Sequence, residues 1–365
     1  ASGEHLVKVT RPDGTATRFT YVTDPAQGLQ RLHALVQVAH PDARTNLFTF
    51  DSQGRLIEAA KSCCAGGEPV TFEYPNHATV VTRDATGRRT TTRYTADLQV
   101  GQVVDDAGRA VTMSYNDNRE LTSVVGPGQE LYRYSYDARG NLATVTDPLH
   151  HLNAFAHEPG FNRLQTVTDA RRKGLNYRYD QKGNLLAIQY VDGSSEGFSY
   201  HANGLVKTST NRRGDVINYA YNPAGQLTNK WWLTATGRVE QSYIYDTGGL
   251  LLLAIGPEGT NSLTYYPQTR RLQSIAYPGG QSFVFEYDEA GRRTRRLDHD
   301  GHIVGYLYDP VGRLERMTNE VGQMIVHYEY DAAGRLGKKT LGNGVYTTYE
   351  HDVVGQLTNL VNLKP

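Results

Sequence analysis

Short stretches of alternating aromatic and polar residues run along this chain, each closed by a cluster of Asp, Asn and Gly. The aromatic positions come two apart, as at Tyr134 and Tyr136, Tyr177 and Tyr179, Tyr219 and Tyr221, Phe285 and Tyr287, and Tyr306 and Tyr308. A spacing of two puts both rings on one face of a β-strand. The clearest cluster is Tyr136-Asp137-Ala138-Arg139-Gly140-Asn141-Leu142. It recurs as Tyr179-Asp180 with Gly183 and Leu185, and as Tyr221-Asn222 with Gly225 and Leu227. Further copies are Tyr245-Asp246 with Gly249, Tyr287-Asp288 with Gly291, Tyr308-Asp309 with Gly312, and Tyr330-Asp331 with Gly334.

Degenerate copies keep the register. The position after the aromatic falls at 51, 75, 95, 116, 137, 158, 180, 201, 222, 246, 267, 288, 309, 331 and 352, in steps of 20 to 24 residues. Tyr74-Pro75, Tyr94-Thr95 and Tyr266-Pro267 are the weakest of these units. A fixed period of this length marks a tandem-repeat architecture.

The cluster has turn chemistry. Asp or Asn suits the first position of a type I turn, because its side chain accepts from nearby backbone amides. Gly supplies the left-handed residue that follows. A type I turn with a Gly bulge predicts that Tyr136 pairs with Leu142 and Tyr308 with Leu314 across the hairpin. A second turn falls about midway through each unit, for example at Asp147-Pro148, Asn211 to Gly214, Asp300-Gly301 and Asn319 to Gly322. Each unit is then two strands and two turns, an antiparallel meander.

Fifteen such units give roughly thirty strands, and a twisted open sheet rarely exceeds about ten without curling. The predicted fold is all-β: tandem hairpins forming a spiral ribbon. A parallel β-helix has coils of similar length, but these units carry hairpin turns and lack strong aliphatic ladders. Leucine-rich repeats fail because their Leu pattern is absent.

Composition sharpens the picture. There are 25 Tyr against 9 Phe and 2 Trp, and mean hydropathy is −0.55. Tyr tolerates one apolar and one wet side, so at least one face of the sheet is expected to be solvated. Lys and Arg number 38 and Asp and Glu 38, which offers no net basic face for nucleic acid. Basic clusters such as Arg292-Arg293 with Arg295-Arg296 read as solvated turns. The two cysteines, Cys63 and Cys64, are adjacent, and read as ordinary thiols in a loop rather than a disulfide or a metal site. No apolar run reaches membrane-spanning length, and none of the 19 Asn begins a glycosylation sequon. The start at Ala1-Ser2-Gly3 is neither a signal peptide nor a methionine start, so the chain reads as an excised fragment.

The run Tyr-Asp-x-x-Gly-[Arg/Asn]-Leu at a period near 21 resembles the YD repeat of Rhs proteins, from Phe50 to nearly the end of the chain. That resemblance implies a hollow β-cocoon. In bacteria such shells enclose a C-terminal toxin; insecticidal toxin-complex components and animal teneurins share the architecture. It therefore implies a secreted or cell-surface bacterial shell segment, with a toxin polypeptide as cargo and contacts to a secretion apparatus or chaperone. Family shells often end in a core region with an aspartyl self-cleavage site marked Asp-Pro-x-Gly. Asp309-Pro310-Val311-Gly312 matches the string but sits inside a repeat hairpin, so only the shell architecture is carried over.

Residues 1–45 are expected as an N-terminal cap or plug, and 46–365 as the repeat spiral, open at its C-terminal end. Within the first segment a hairpin forms around Pro12-Asp13-Gly14 and a helix covers 25–40. Asp24 would be its N-cap, Pro25 its first residue and Pro41 its stop, with Leu29, Leu32, Val36 and Ala39 on one face.

Trp231-Trp232, in a unit three residues longer than most, would face opposite ways. They read as packing in a widened hairpin, with a sugar or protein platform as the sharper reading. Gly193-Ser194-Ser195-Glu196-Gly197 matches a nucleophile elbow literally but occupies a repeat turn. His299-Asp300-Gly301-His302 lacks distant ligands for a metal. No catalytic residue, cofactor or metal is expected. The leading function is a structural shell; the alternative is a cell-surface module that binds glycan or protein.

Overall fold

The computed structural model describes residues 5–11, 13–62, 68–352 and 355–365. Pro12, Cys63 and Cys64 lie outside the described residues. Among the described residues thirty-three strands follow one another, from Lys8–Thr10 to Leu357–Leu363, and within a unit they pair antiparallel with their sequence neighbours. The chain divides into two units. One comprises Ala1–Arg109, Thr264–Ala276 and Gly280–Pro365, and the other Ala110–Leu263 with Tyr277–Gly279.

The hairpin geometry is the one the turn chemistry dictates. Tyr136 pairs with Leu142 and Tyr308 with Leu314, each with a register shift just before the Tyr. The same shift sets Tyr179 opposite Leu185, Tyr245 opposite Leu251 and Tyr330 opposite Leu336. Asp309 N–H donates to the Arg313 carbonyl and Gly312 N–H to the Asp309 carbonyl, both at 2.8 Å. Gly140, Gly183, Gly291, Gly312 and Gly334 have φ between 79° and 91°, as a left-handed turn position requires. Many midway turns use the same pair of bonds, for example at Asp147 and Asn319, while Thr234–Gly237 and Gly256–Gly259 close with two-residue turns.

Some turns fill that left-handed position without glycine. Leu98 has φ 61° and is 75 % exposed, with its N–H bonded to the Thr95 carbonyl. An L-residue there costs about 1–2 kcal/mol, of which glycine's larger unfolded-state entropy returns roughly half. Leu98→Gly is therefore expected to raise stability by about 0.5–1 kcal/mol, read as a higher melting temperature. An unchanged or lower value contradicts the turn assignment.

Two expectations are corrected. No α-helix covers 25–40. Asp24 does cap and accepts from Ala26 N–H at 2.9 Å, but the chain makes only single 3-10 turns at Pro25–Gln27 and Leu29–Arg31. Gly28, at φ 107°, interrupts them. Leu35–Ala39 is a strand hydrogen-bonded on both sides, to Ala16–Tyr21 and Thr45–Phe50. Sheet pairing outweighs the weak helical spacing, and Tyr21 opposite Leu35 repeats the bulged Tyr–Leu pairing. The second correction concerns Tyr266-Pro267. It is Tyr266 N–H that donates to the Arg271 carbonyl, so Tyr266 stands where Asp stands in other turns and the loop is one residue longer.

The two faces of the sheet differ. In the second unit Tyr177, Ile188, Phe198, Tyr200 and Tyr219 share one face, while Ala187, Gly197, Ser199, Thr208 and Thr210 share the other. Hydroxyls bridge strands on the small-residue face, as at Ser199–Thr208, 2.6 Å. In the first unit Phe283, Phe285, Tyr306 and Met317 share an aromatic face. Among the described residues the buried apolar side chains are Val22, Val81, Phe285 and Val326. With so few apolar side chains buried, the strands within each unit are held chiefly by ladder hydrogen bonds and in-plane side-chain contacts.

Candidate functional site

The repeat signature builds a ladder along one edge of the ribbon. Each Tyr reaches back to the preceding unit. Tyr136, Tyr179, Tyr308 and Tyr330 donate through their hydroxyls to the carbonyls of Leu121, Leu164, Arg293 and Leu314 at 2.7–2.9 Å. Burial raises the pKa of these hydroxyls and keeps them as donors. Each Asp closes its own turn. Asp180 Oδ1 accepts from the backbone N–H groups of Lys182 and Asn184, both at 2.8 Å.

An Arg that ends the turn, as at Arg292, Arg313, Arg271 and Arg163, joins one turn to the next. Arg313 Nε binds Asp309 at 2.6 Å within its turn. Its guanidinium lies 4.5 Å from the centre of the Tyr330 ring in the following unit. It also lies 3.1 Å from where a Cβ on Gly334 would stand. Arg292 repeats this with Asp288, Tyr308 and Gly312. Arg271 stacks on Tyr287 beside Gly291, and Arg163 on Tyr179 beside Gly183. The glycine thus has two reasons to be glycine: its φ, and the cation lying where a side chain would begin.

Within the first unit the ribbon meets an earlier pass of itself, and this seam is where long-range contacts concentrate. Arg313 Nη1 also binds Glu68 Oε1 at 2.6 Å, 245 residues away in sequence. Arg44 Nη1 donates to the Val311 carbonyl at 3.1 Å, and Arg292 approaches Asp42 at 3.7 Å. Arg109 donates to Gln356 at 3.0 Å, and Arg11 to the Glu289 carbonyl at 3.3 Å. Gly312 lies between Arg292 of its own pass and Arg44 of the other, and Gly334 between Arg313 and Glu68. The seam therefore uses the ladder's own arginines. Nothing in the local sequence signals these partners.

Asp331, Asp42 and Asp84 titrate low. Burial pushes Asp331 up, but the Arg335 N–H and guanidinium outweigh it and hold the carboxyl below its usual value. Burial likewise opposes, and hydrogen bonds from Arg44 and from Thr86 and Arg88 override, the shifts of Asp42 and Asp84. A folded-state pKa below the unfolded one, about 3.9, gives stability that is complete above about pH 4 and lost as pH falls through the folded values. The melting temperature is expected to be flat from pH 7 to about pH 5 and to drop below about pH 4. Asp331→Asn should cost about 1 kcal/mol at pH 7 and weaken the acid dependence. An equally steep acid transition in that variant would show that other groups dominate.

The remaining motifs resolve into repeat parts. Gly193 has φ 82°, and strand Ser195–Tyr200 follows it instead of a helix, so no nucleophile elbow forms. Asp309 of the Asp-Pro-x-Gly string is held by Arg313. Asp298, Asp300 and His302 bring potential ligand atoms within 4.8 Å of one another. Asp298 Oδ1, however, accepts the Asp300 and His302 N–H groups as an ordinary turn cap. Trp231 pairs with Asn218 and Glu240, and Trp232 with Ile217 and Val239, which puts the indoles on opposite faces. Arg238 lies 4.7 Å over the Trp231 ring and binds Glu240 at 2.9 Å, covering the indole from within the protein.

Comparison with known proteins agrees with this geometry. The family model "Teneurin YD-shell" matches residues 161–336, and the model "RHS Repeat" matches 115–151. A curated relative, double-stranded DNA deaminase toxin A of Burkholderia cenocepacia (strain H111), is 25 % identical over 157 residues, 42 % of this chain and 8 % of that protein. The structure of a Photorhabdus luminescens Tc holotoxin pore superposes with TM-score 0.73 at 15 % identity, over 96 % of this chain and 21 % of that one. A TcdB2–TccC3 crystal structure gives 0.60 at 13 % identity, over 99 % and 27 %. The chain thus spans under a third of the length of these proteins. Its period, its bulged Tyr–Leu turns and the two family matches converge: residues 115–151 and 161–336 are similar to the YD repeats of the Rhs family.

Proposed function

We propose that this chain is a wall segment of a toxin shell, in a longer bacterial protein, and that the wall encloses an effector polypeptide. The shell-type role follows from the family. Enclosure is supported chiefly by one observation: a single-layer sheet whose aromatic face is not filled by a packed core of its own. Such a face offers rings and half-solvated polar groups to a polypeptide without demanding one shape of it. In this reading the segment turns over no substrate, needs no cofactor, and acts after secretion or at the cell surface. Among the described residues no helix is long and apolar enough to cross a membrane.

Limited proteolysis of the full-length protein tests the reading. The effector should resist digestion while the repeat wall is intact. It should become sensitive when seam contacts are broken, with wall strands away from the seam still protected. An effector digested at the same rate with and without an intact wall would refute enclosure.

A further inference from the structure

One repeat places a cation where others pair the signature aromatic with an aliphatic residue. The position that pairs with the signature Tyr is Leu142, Leu185, Leu227, Leu251, Leu314 and Leu336 in other units; opposite Tyr287 it is Arg293. Three residues on, where other units carry Val145, Ile188 or Met317, this unit carries Arg296. Lysines occupy that second position at Lys230 and Lys339, but there the Tyr-pairing position keeps its Leu. Departures from a local rule are where function is expected.

Both arginines are half-buried on the aromatic face. The Arg293 guanidinium lies 4.5 Å over Phe285 and 5.9 Å from Tyr306, and that of Arg296 lies 5.2 Å over Phe283. Ring faces attract the cation but do not accept its in-plane N–H groups. The Nε atoms of both are shielded from solvent and have no hydrogen-bond partner. Their neighbours are all matched: Arg292 with Asp288, Arg295 with Glu286, Arg313 with Asp309. Among the described residues no carboxylate pairs with Arg293 or Arg296. Two half-buried cations thus keep their Nε groups away from water with no anion beside them, an arrangement that is costly unless a partner completes it.

We propose that Arg293 and Arg296 form an anion site on the aromatic face that takes carboxylate side chains of an acidic polypeptide segment. The planar fork of each guanidinium matches a carboxylate edge-on, while the flanking rings accommodate the aliphatic stem. A nucleic acid would need a run of free cations, and the surrounding arginines are already bound to Asp and Glu. The site goes beyond the shell reading and stands or falls independently of enclosure.

The test is fluorescence anisotropy with a labelled deca-glutamate peptide, against deca-glutamine and an oligothymidylate of equal length. The chain should bind the glutamate peptide in preference to both, less tightly as salt rises. Arg293→Leu with Arg296→Val restores the pattern of the other repeats. It should weaken glutamate binding at least tenfold while leaving the melting temperature unchanged or raised. Arg178→Gln, on the small-residue face of the second unit, should change nothing. Undiminished binding in the double variant, preferred binding of the oligothymidylate, or no peptide binding at all would overturn the proposal. So would a lowered melting temperature in the double variant, since it would mean that the arginines serve the fold.

Discussion

Replacing Gly312 by Val is expected to destabilise the first unit by about 2–4 kcal/mol. Two effects add. The residue has φ 91°, which a β-branched side chain adopts only with strain of about 1–2 kcal/mol. A Cβ there would also collide with Arg44 Nη1 and stand 2.9 Å from Arg292 Nη1. Moving either arginine disturbs something else, because Arg44 binds the Val311 carbonyl and Arg292 stacks on Tyr308. The same substitution at Gly204 isolates the backbone effect, since φ is 85° there and open space surrounds the site. Gly204→Val should cost only about 1–2 kcal/mol. Repeat sheets need not unfold as one cooperative block, so hydrogen exchange at the neighbouring strands is the proper readout alongside the melt. Equal losses at the two glycines would remove the seam from the explanation.

Arg313→Glu is expected to cost about 2–3 kcal/mol, because one side chain serves the turn, the ladder and the seam at once. It binds Asp309 and Glu68 at 2.6 Å each and stacks on Tyr330 at 4.5 Å. Reversal places a carboxylate between two others in a site where the arginine side chain is 29 % exposed. Partial solvation argues for the lower part of the range for buried pairs. Arg313→Lys keeps the charge but loses the fork and most of the stacking, so an intermediate loss is expected. Added salt should recover part of the deficit in the Glu variant and little in the Lys variant. Exchange should quicken around residues 309–336 and around Glu68, on both sides of the seam. Quickening confined to 309–336 would mean that the contact with Glu68 contributes nothing.

Local features were legible in the sequence, and features that depend on distant chain were not. The Asp cap, the left-handed glycine and the Tyr–Leu pairing all lie within seven consecutive residues, where hairpin chemistry specifies them, and the period is simply their recurrence. The role of Arg313 was half visible: its place after the Gly is in the motif, but its contact with Tyr330 requires knowing which strands lie side by side. Arg44, Glu68 and Arg109 could not have been found this way, because their partners lie 245 residues or more along the chain. Residues 25–40 misled for a physical reason. Asp24-Pro25 is a sound helix start, and it does cap a turn, but Leu35–Ala39 gains two hydrogen-bonded neighbours as a strand. Tyr266 misled differently, since in Tyr265-Tyr266 either ring could hold the aromatic position and only the loop closure to Arg271 decides.

Electron cryomicroscopy of the full-length protein tests the central claim most directly. The account predicts that the repeat sheet stays one layer thick and that density for a separate polypeptide lies against the aromatic face of a unit, the one carrying Tyr177 and Phe198 or the one carrying Phe285 and Tyr306. A second sheet packed on that face as an apolar core, or an effector resolved wholly outside the wall, would contradict it.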